Sequence, residues 1–236
     1  MSDLCKLQRL LDLPFRQPHL CEEALTHKSF AAEHHLDYDN QRLEFLGDAV
    51  VQIILTRYLF DRYPDLQEGD LTKIRSALAN QDSLAAMARE ISLGGFLLMG
   101  KGEKELNGQD RDSTLSDLFE AFLAAVYLDF GLEKATGFFL GILEKEHPDP
   151  IELLHDLNPK GALQEYTQKY SGGMPVYKTV SVTGPDHALR YTVELSLHGR
   201  TVSSAVAGSR KTAEREAARI ALEILRREDA EHDEPL

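Results

Sequence analysis

Apolar residues recur at helical spacing through Asn40 to Phe60, NQRLEFLGDAVVQIILTRYLF, at Leu43, Leu46, Val50, Ile53 and Ile54, with carboxylates set among them. The pattern predicts a buried helix that carries acid. Glu44 and Asp48 are four apart, so a helix projects them from one face, beside an apolar stripe where a lone ionised carboxylate is costly. A second stretch, Ser113 to Phe130 (STLSDLFEAFLAAVYLDF), repeats the design. Leu115, Leu118, Phe119, Phe122, Leu123 and Val126 form its stripe, and Asp117 and Glu120 share a face. Further amphipathic patterns fill residues 1–150, broken at Tyr63-Pro64-Asp65, Gly94-Gly95 and Asn107-Gly108, with no alternating strand run. This part reads as an all-helical domain.

The pattern then changes. His147-Pro148-Asp149-Pro150 resists continued helix and marks a domain edge, and residues 151–158 read as a linker with room for a short helical turn. Asn158-Pro159 is a helix start, with Asn as cap and Pro at the first position, leading into Gly161 to Tyr170. Val176 to Thr183, Leu189 to Leu197 and Thr201 to Ala207 alternate apolar and polar residues, with turn signals at Gly184-Pro185 and His198-Gly199. Arg210 to Arg227 returns to helical spacing. Residues 159–228 therefore form a small α+β (α-β-β-β-α) domain, followed by an acidic tail, 229–236, that reads as disordered.

Charge divides the chain at the same place. The net charge of −13 looks wrong for a nucleic-acid binder, because phosphate contacts need Lys and Arg. Residues 1–150, however, hold 15 Lys and Arg against 26 Asp and Glu, whereas residues 159–227 hold 11 against 6. The second domain has the sign for binding, and the first has an excess of acid that calls for cations.

The candidate chemistry lies in the paired acids. If the two helical faces converge, each pair of like charges at about 4 Å repels by roughly 4 kcal/mol at an effective dielectric near 20, so four are tenable only with bound cations or raised pKa values. Hard oxygen ligands point to magnesium or manganese. Other readings carry less. His27 and the pair His34-His35 lack companions at zinc spacing, Gly100 to Asp112 (GKGEKELNGQDRD) is no P-loop, and Cys5 and Cys21 are too few for a disulfide framework. No apolar run approaches the roughly 18 residues of a membrane span, and the start lacks a secretory leader, so a cytoplasmic location is expected.

QRLEFLGDAV resembles the signature motif of ribonuclease III, and DSTLSDLFEAFLAAVYLD resembles its second acidic segment. ALTHKSF (Ala24 to Phe30), EGDLTKIRSALAN (Glu68 to Asn80) and GKGE (Gly100 to Glu103) are similar to further family segments, in family order. LQEYTQ, GPDHA and GSRKTAEREAA are similar to segments of the double-stranded RNA-binding domain. The resemblance runs from about Leu7 to Leu225. It implies an all-α endonuclease domain followed by a double-stranded RNA-binding domain.

The activity so implied is metal-dependent hydrolysis of double-stranded RNA to 5′-phosphate and 3′-hydroxyl ends with short 3′ overhangs, in processing of ribosomal RNA precursors and other structured transcripts. Glu44, Asp48, Asp117 and Glu120 would hold one or two Mg²⁺ ions, for which Mn²⁺ can substitute, with Asp48 and Glu120 the most sensitive positions; no organic cofactor is implied. Glu68 is a secondary acidic candidate. A homodimer would face one such cluster to each RNA strand, with Phe45 across the interface. Arg210 and Lys211, at a helix N-terminus, suit phosphates, while Gln164, Gln168 and His187 suit a minor groove. Two positions depart from the family pattern. Gln41 stands where the family usually has Glu, and Glu214 stands where many relatives of the RNA-binding domain have a third basic residue. The competing reading is a non-catalytic RNA-binding or ribosome-associated protein, for which four intact acidic positions have no purpose.

Overall fold

Helix α8 (Asp112–Phe130) is so apolar that nearly every turn must be covered, and Phe119, Phe122, Leu118 and Val126 are fully buried. Other helices surround it. In this computed structural model, which describes residues 3–170, 172–185 and 188–232, the chain divides into two compact units, 1–150 and 151–236. In the first, α4 (Gln41–Arg62), α6 (Gln81–Glu90), α2 (Pro18–Ala24) and α9 (Leu132–Glu146) pack on α8. Phe122 meets Phe15 edge-on at 5.9 Å between ring centroids, and Phe119 meets Phe139 at 6.0 Å. Asp129, buried near the end of α8, accepts the Arg16 and Gln17 backbone N–H groups at 2.7 and 3.1 Å. It thereby ties the entry of α2 to the core.

The outer elements are α1 (Asp3–Leu10), α3 (Lys28–His34), α5 (Glu68–Leu78) and α7 (Lys101–Glu105). The charged stretch Gly100 to Asp112 is locally ordered. It contains α7 and a 3-10 turn, Gly108–Asp110, and is tied to α3: the Gly100 N–H donates to Ser29 Oγ at 2.9 Å and the Lys101 N–H to Glu33 Oε1 at 2.9 Å.

The second unit follows the sequence pattern closely. The segment 151–158 carries a helix, α10 (Glu152–Leu157), which packs on α11 (Pro159–Tyr170). Strands β1 (Val176–Thr183), β2 (Arg190–Leu197) and β3 (Arg200–Ala207) pair antiparallel in the order β1-β2-β3, with Lys178 opposite Glu194 and Glu194 opposite Ser204. One sheet face meets α11 and α12 (Arg210–His232) through Leu163, Leu195, Leu197, Ala217, Ala221 and Leu222.

Helix α12 runs on to His232: Arg226, Arg227, Glu228 and Ala230 are good helix formers, and no Gly or Pro intervenes before Pro235. Residues 233–236 lie outside the described residues. Among the described residues no helix is long and apolar enough to cross a membrane.

Candidate active site

Helices α4 and α8 share the most extensive helix contact of the first unit, and glycine permits their close approach. At Gly47 the two backbones approach so nearly that an added Cβ would run into the Glu120 carbonyl group. Glu44 and Asp48 flank Gly47 on α4, and Asp117 lies one turn before Glu120 on α8. The crossing therefore brings the charges of Glu44, Asp48 and Asp117 to bear on Glu120.

Their electrostatics follow from that crossing. Glu120 is half-buried, and burial followed by the charges of Asp48, Glu44 and Asp117 pushes its carboxyl up to about 8. Burial and then Asp117 raise Glu44, against the pull of Lys28. Asp117 is also raised by burial, with Lys28 and His27 acting in the opposite sense. Asp48 is exposed and accepts from Gln52 Nε2 at 3.4 Å. As the side chains lie, no three His, Cys, Asp or Glu among the described residues are gathered closely enough to ligate one ion. The four act on one another as charges rather than as a closed coordination shell.

Other predicted residues are placed elsewhere. Glu68 is exposed on α5, accepts from Thr72 Oγ1 at 3.1 Å and is not among the charges that act on Glu44, Asp117 or Glu120. Phe45 is 85% exposed, the most exposed of the large apolar side chains on α4. Gln41 is exposed, and its backbone N–H donates to Asp39 Oδ1 at 3.0 Å. His27 caps α3: its Nδ1 accepts the Ser29 N–H, and burial lowers its pKa. Lys28, which the sequence reading passed over, is the cation whose charge reaches both Glu44 and Asp117. The signal available for it was its place in the matched segment ALTHKSF.

In the second unit Gln164 and Gln168 are exposed on α11, and Arg210 and Lys211 are exposed at the start of α12. His187 lies outside the described residues. Glu214 takes Arg210 and Lys160 as ion-pair partners, an arrangement the sequence did not announce.

Residues 17–146 match the family model described as Ribonuclease-III-like, and residues 159–225 match the Double-stranded RNA binding motif. The chain belongs to the ribonuclease III family. It is similar to Ribonuclease 3 of Campylobacter concisus, 41% identical over 228 residues that cover 96% of this chain and 100% of that one. Ribonuclease 3 of Campylobacter jejuni is 42% identical over 95% of this chain and 99% of its own. The crystal structure of the Campylobacter jejuni ribonuclease III nuclease domain matches with a TM-score of 0.58 at 41% identity, over 63% of this chain and 99% of that one. A further structure of that domain, concerned with flexibility in the region involved in dimer formation, matches with a TM-score of 0.59 at 41% identity, over 62% of this chain and 100% of that one.

Membership in the ribonuclease III family implies a divalent metal dependence, and the residues fit it. The donors are all carboxylate oxygens, and burial, reinforced by the negative charges of Asp48, Glu44 and Asp117, pushes Glu120 toward its neutral form at neutral pH. A divalent cation relieves that excess.

Proposed function

We propose that the protein is a magnesium-dependent endoribonuclease that cleaves double-stranded RNA in the cytoplasm, leaving 5′-phosphate and 3′-hydroxyl ends with short 3′ overhangs. The observation that carries this reading is the crossing at Gly47, which sets Glu44, Asp48, Asp117 and Glu120 in one electrostatic field. Such a field is destabilising without a cation. A non-catalytic RNA-binding protein gives no reason to keep it.

A bound magnesium or manganese ion would lower the pKa of an attacking water and neutralise charge at the scissile phosphate. The chain's own part is to hold and orient. Asp48, exposed, and Glu120, half-buried against α4, are the principal ligands, with Glu44 and Asp117 as positioning ligands on the same two helices. The Glu120 backbone lies directly against Gly47, so the point from which this ligand projects is set by the backbone crossing. Lys28 balances part of the negative charge beside Glu44 and Asp117. Glu68 has a supporting role outside this cluster.

Duplex RNA has two strands, and a C₂ homodimer supplies one cluster for each. Phe45 is the side chain expected across that interface, since its exposure has no compensation within the protomer. A cavity of about 460 Å³ beside the later turns of α4, with Leu59, Phe60, Leu66 and Leu71 on its apolar side and Glu68 and Arg75 at its polar side, is a place of suitable size to receive it. In the second unit, Arg210 and Lys211 take phosphates while Gln164, Gln168 and His187 read a minor groove. Ribosomal RNA precursors and other structured transcripts are the substrate class.

The test is the chemistry of the ends. A perfect RNA duplex treated with the purified protein and magnesium should yield fragments with 5′-phosphates and short 3′ overhangs. Intact duplex, bound but uncut across magnesium and manganese titrations, would favour the binding-only reading.

A further inference from the structure

The helix that faces phosphates in the second unit carries an acid inside its basic motif. Glu214 lies one turn after Arg210, and its side chain is only 13% exposed. Its Oε1 accepts from Arg210 Nε at 2.8 Å, and its Oε2 accepts from Lys160 Nζ at 2.7 Å. Lys160 Nζ also stands 4.4 Å from the centroid of the Tyr177 ring. One carboxylate therefore joins the first turns of α12 and α11, and through Lys160 reaches β1.

An acid beside a polyanion site could act by repelling RNA. The geometry argues against this. Both carboxylate oxygens are covered by cations, and the hydrogen bond from Lys160, helped by that from Arg210, holds the carboxyl below its usual range. The cations are the groups left at the surface, Arg210 at 64% and Lys160 at 38% side-chain exposure. Arg210 is engaged through Nε, so its terminal nitrogens remain available to a phosphate in the bidentate manner guanidinium favours.

We propose that Glu214 is a positioning residue for duplex RNA: it orients Arg210 toward the phosphate backbone and, through Lys160, fixes the first turn of α11 against α12. This rests on the reading of α11 and α12 as the RNA-contacting face. The consequence is a defined spacing between Gln164 and Gln168 on one helix and Arg210 and Lys211 on the other. Removing a negative charge should then weaken RNA binding, the opposite of what simple repulsion requires.

The experiment measures binding of the full chain to a perfect RNA duplex in EDTA across a KCl series. Glu214→Gln should weaken binding about two- to fivefold, the worth of one partly exposed ion pair, and lower the slope of log affinity against log salt by about one. Arg210→Lys, which keeps the charge but loses the guanidinium fork and leaves the Lys160 pair in place, should weaken binding similarly. Adding Glu214→Gln to Arg210→Lys should cost less than it does alone, because the two act through one contact. Tighter or unchanged binding by Glu214→Gln alone overturns the proposal, as does a full additive cost of Glu214→Gln in the Arg210→Lys background. Lys211→Ala separates the layers: if it weakens binding while Glu214→Gln does not, the positioning role alone fails, and if it changes nothing, the RNA-binding face itself is wrong and the proposal falls with it.

Discussion

Gly47 and Glu120 meet backbone to backbone, with no room for a side chain at position 47. The candidate active site depends on that contact, because the same approach brings the α4 acids to the α8 acids. Gly47→Ala must push the helices apart or distort one of them. The expected loss is about 1–3 kcal/mol of stability from overpacking, with a higher magnesium concentration needed for half-maximal cleavage. Thermal unfolding and a magnesium titration check both parts. An alanine variant with unchanged melting and unchanged magnesium dependence would show that the crossing is not what gathers the ligands.

Asp129 tests the frame without touching the chemistry. It accepts two backbone N–H groups from the segment entering α2 while itself buried. Asp129→Ala leaves those donors without their acceptor and should cost about 1–3 kcal/mol, read as a lower urea midpoint. Cleavage by the folded enzyme should be unchanged well below the melting temperature.

His27 supplies a pH dependence whose sign is fixed. Burial lowers its pKa in the folded protein, so the unfolded chain binds the proton more readily, and stability from this group is present above the unfolded value near 6.5. It is lost as pH falls through the lower folded value, when the protonated ring can no longer accept the Ser29 N–H. His27→Asn retains a capping acceptor without a titration in this window. Unfolding midpoints measured on both proteins from about pH 7.5 down to about pH 5 should fall more for the unsubstituted protein. Parallel curves would contradict the assignment.

Phe45 separates assembly from folding. Since it is 85% exposed in the protomer, Phe45→Ala should leave protomer stability within about 0.5 kcal/mol. Burial of a phenyl side chain is worth about 1.5–3 kcal/mol, and a two-fold interface counts it twice, so the dimer dissociation constant should rise by at least about a hundredfold. Sedimentation velocity over a concentration series reads this directly. An unaltered dimer would place the interface elsewhere.

The elements legible in the sequence were those with a strong period. The apolar stripes of α4 and α8 and the alternation in β1, β2 and β3 located those elements to within a residue or two. Three features lay beyond such patterns. That Glu44 and Asp48 meet Asp117 and Glu120 depends on a helix crossing, and periodicity within one helix says nothing about which helix it touches. The order of the Gly100 to Asp112 segment comes from backbone hydrogen bonds to Ser29 and Glu33, distant in sequence. The run of α12 to His232 follows from helix propensity, which the acidic composition of its end masks, since nothing between Arg226 and His232 breaks a helix. Lys28 and Glu214 were likewise hidden, because a charge reveals its partner only when the fold supplies one.

The central claim is that four carboxylates on two crossing helices hold a divalent cation that cleaves duplex RNA, and Glu120→Gln tests it most directly. The substitution keeps size and hydrogen-bonding capacity but removes the charge. With magnesium, the unsubstituted protein should cut a perfect duplex, EDTA should abolish cutting, and the Gln variant should bind the duplex with unchanged affinity yet fail to cut it. Full cleavage by the variant at the same magnesium concentration would contradict the account.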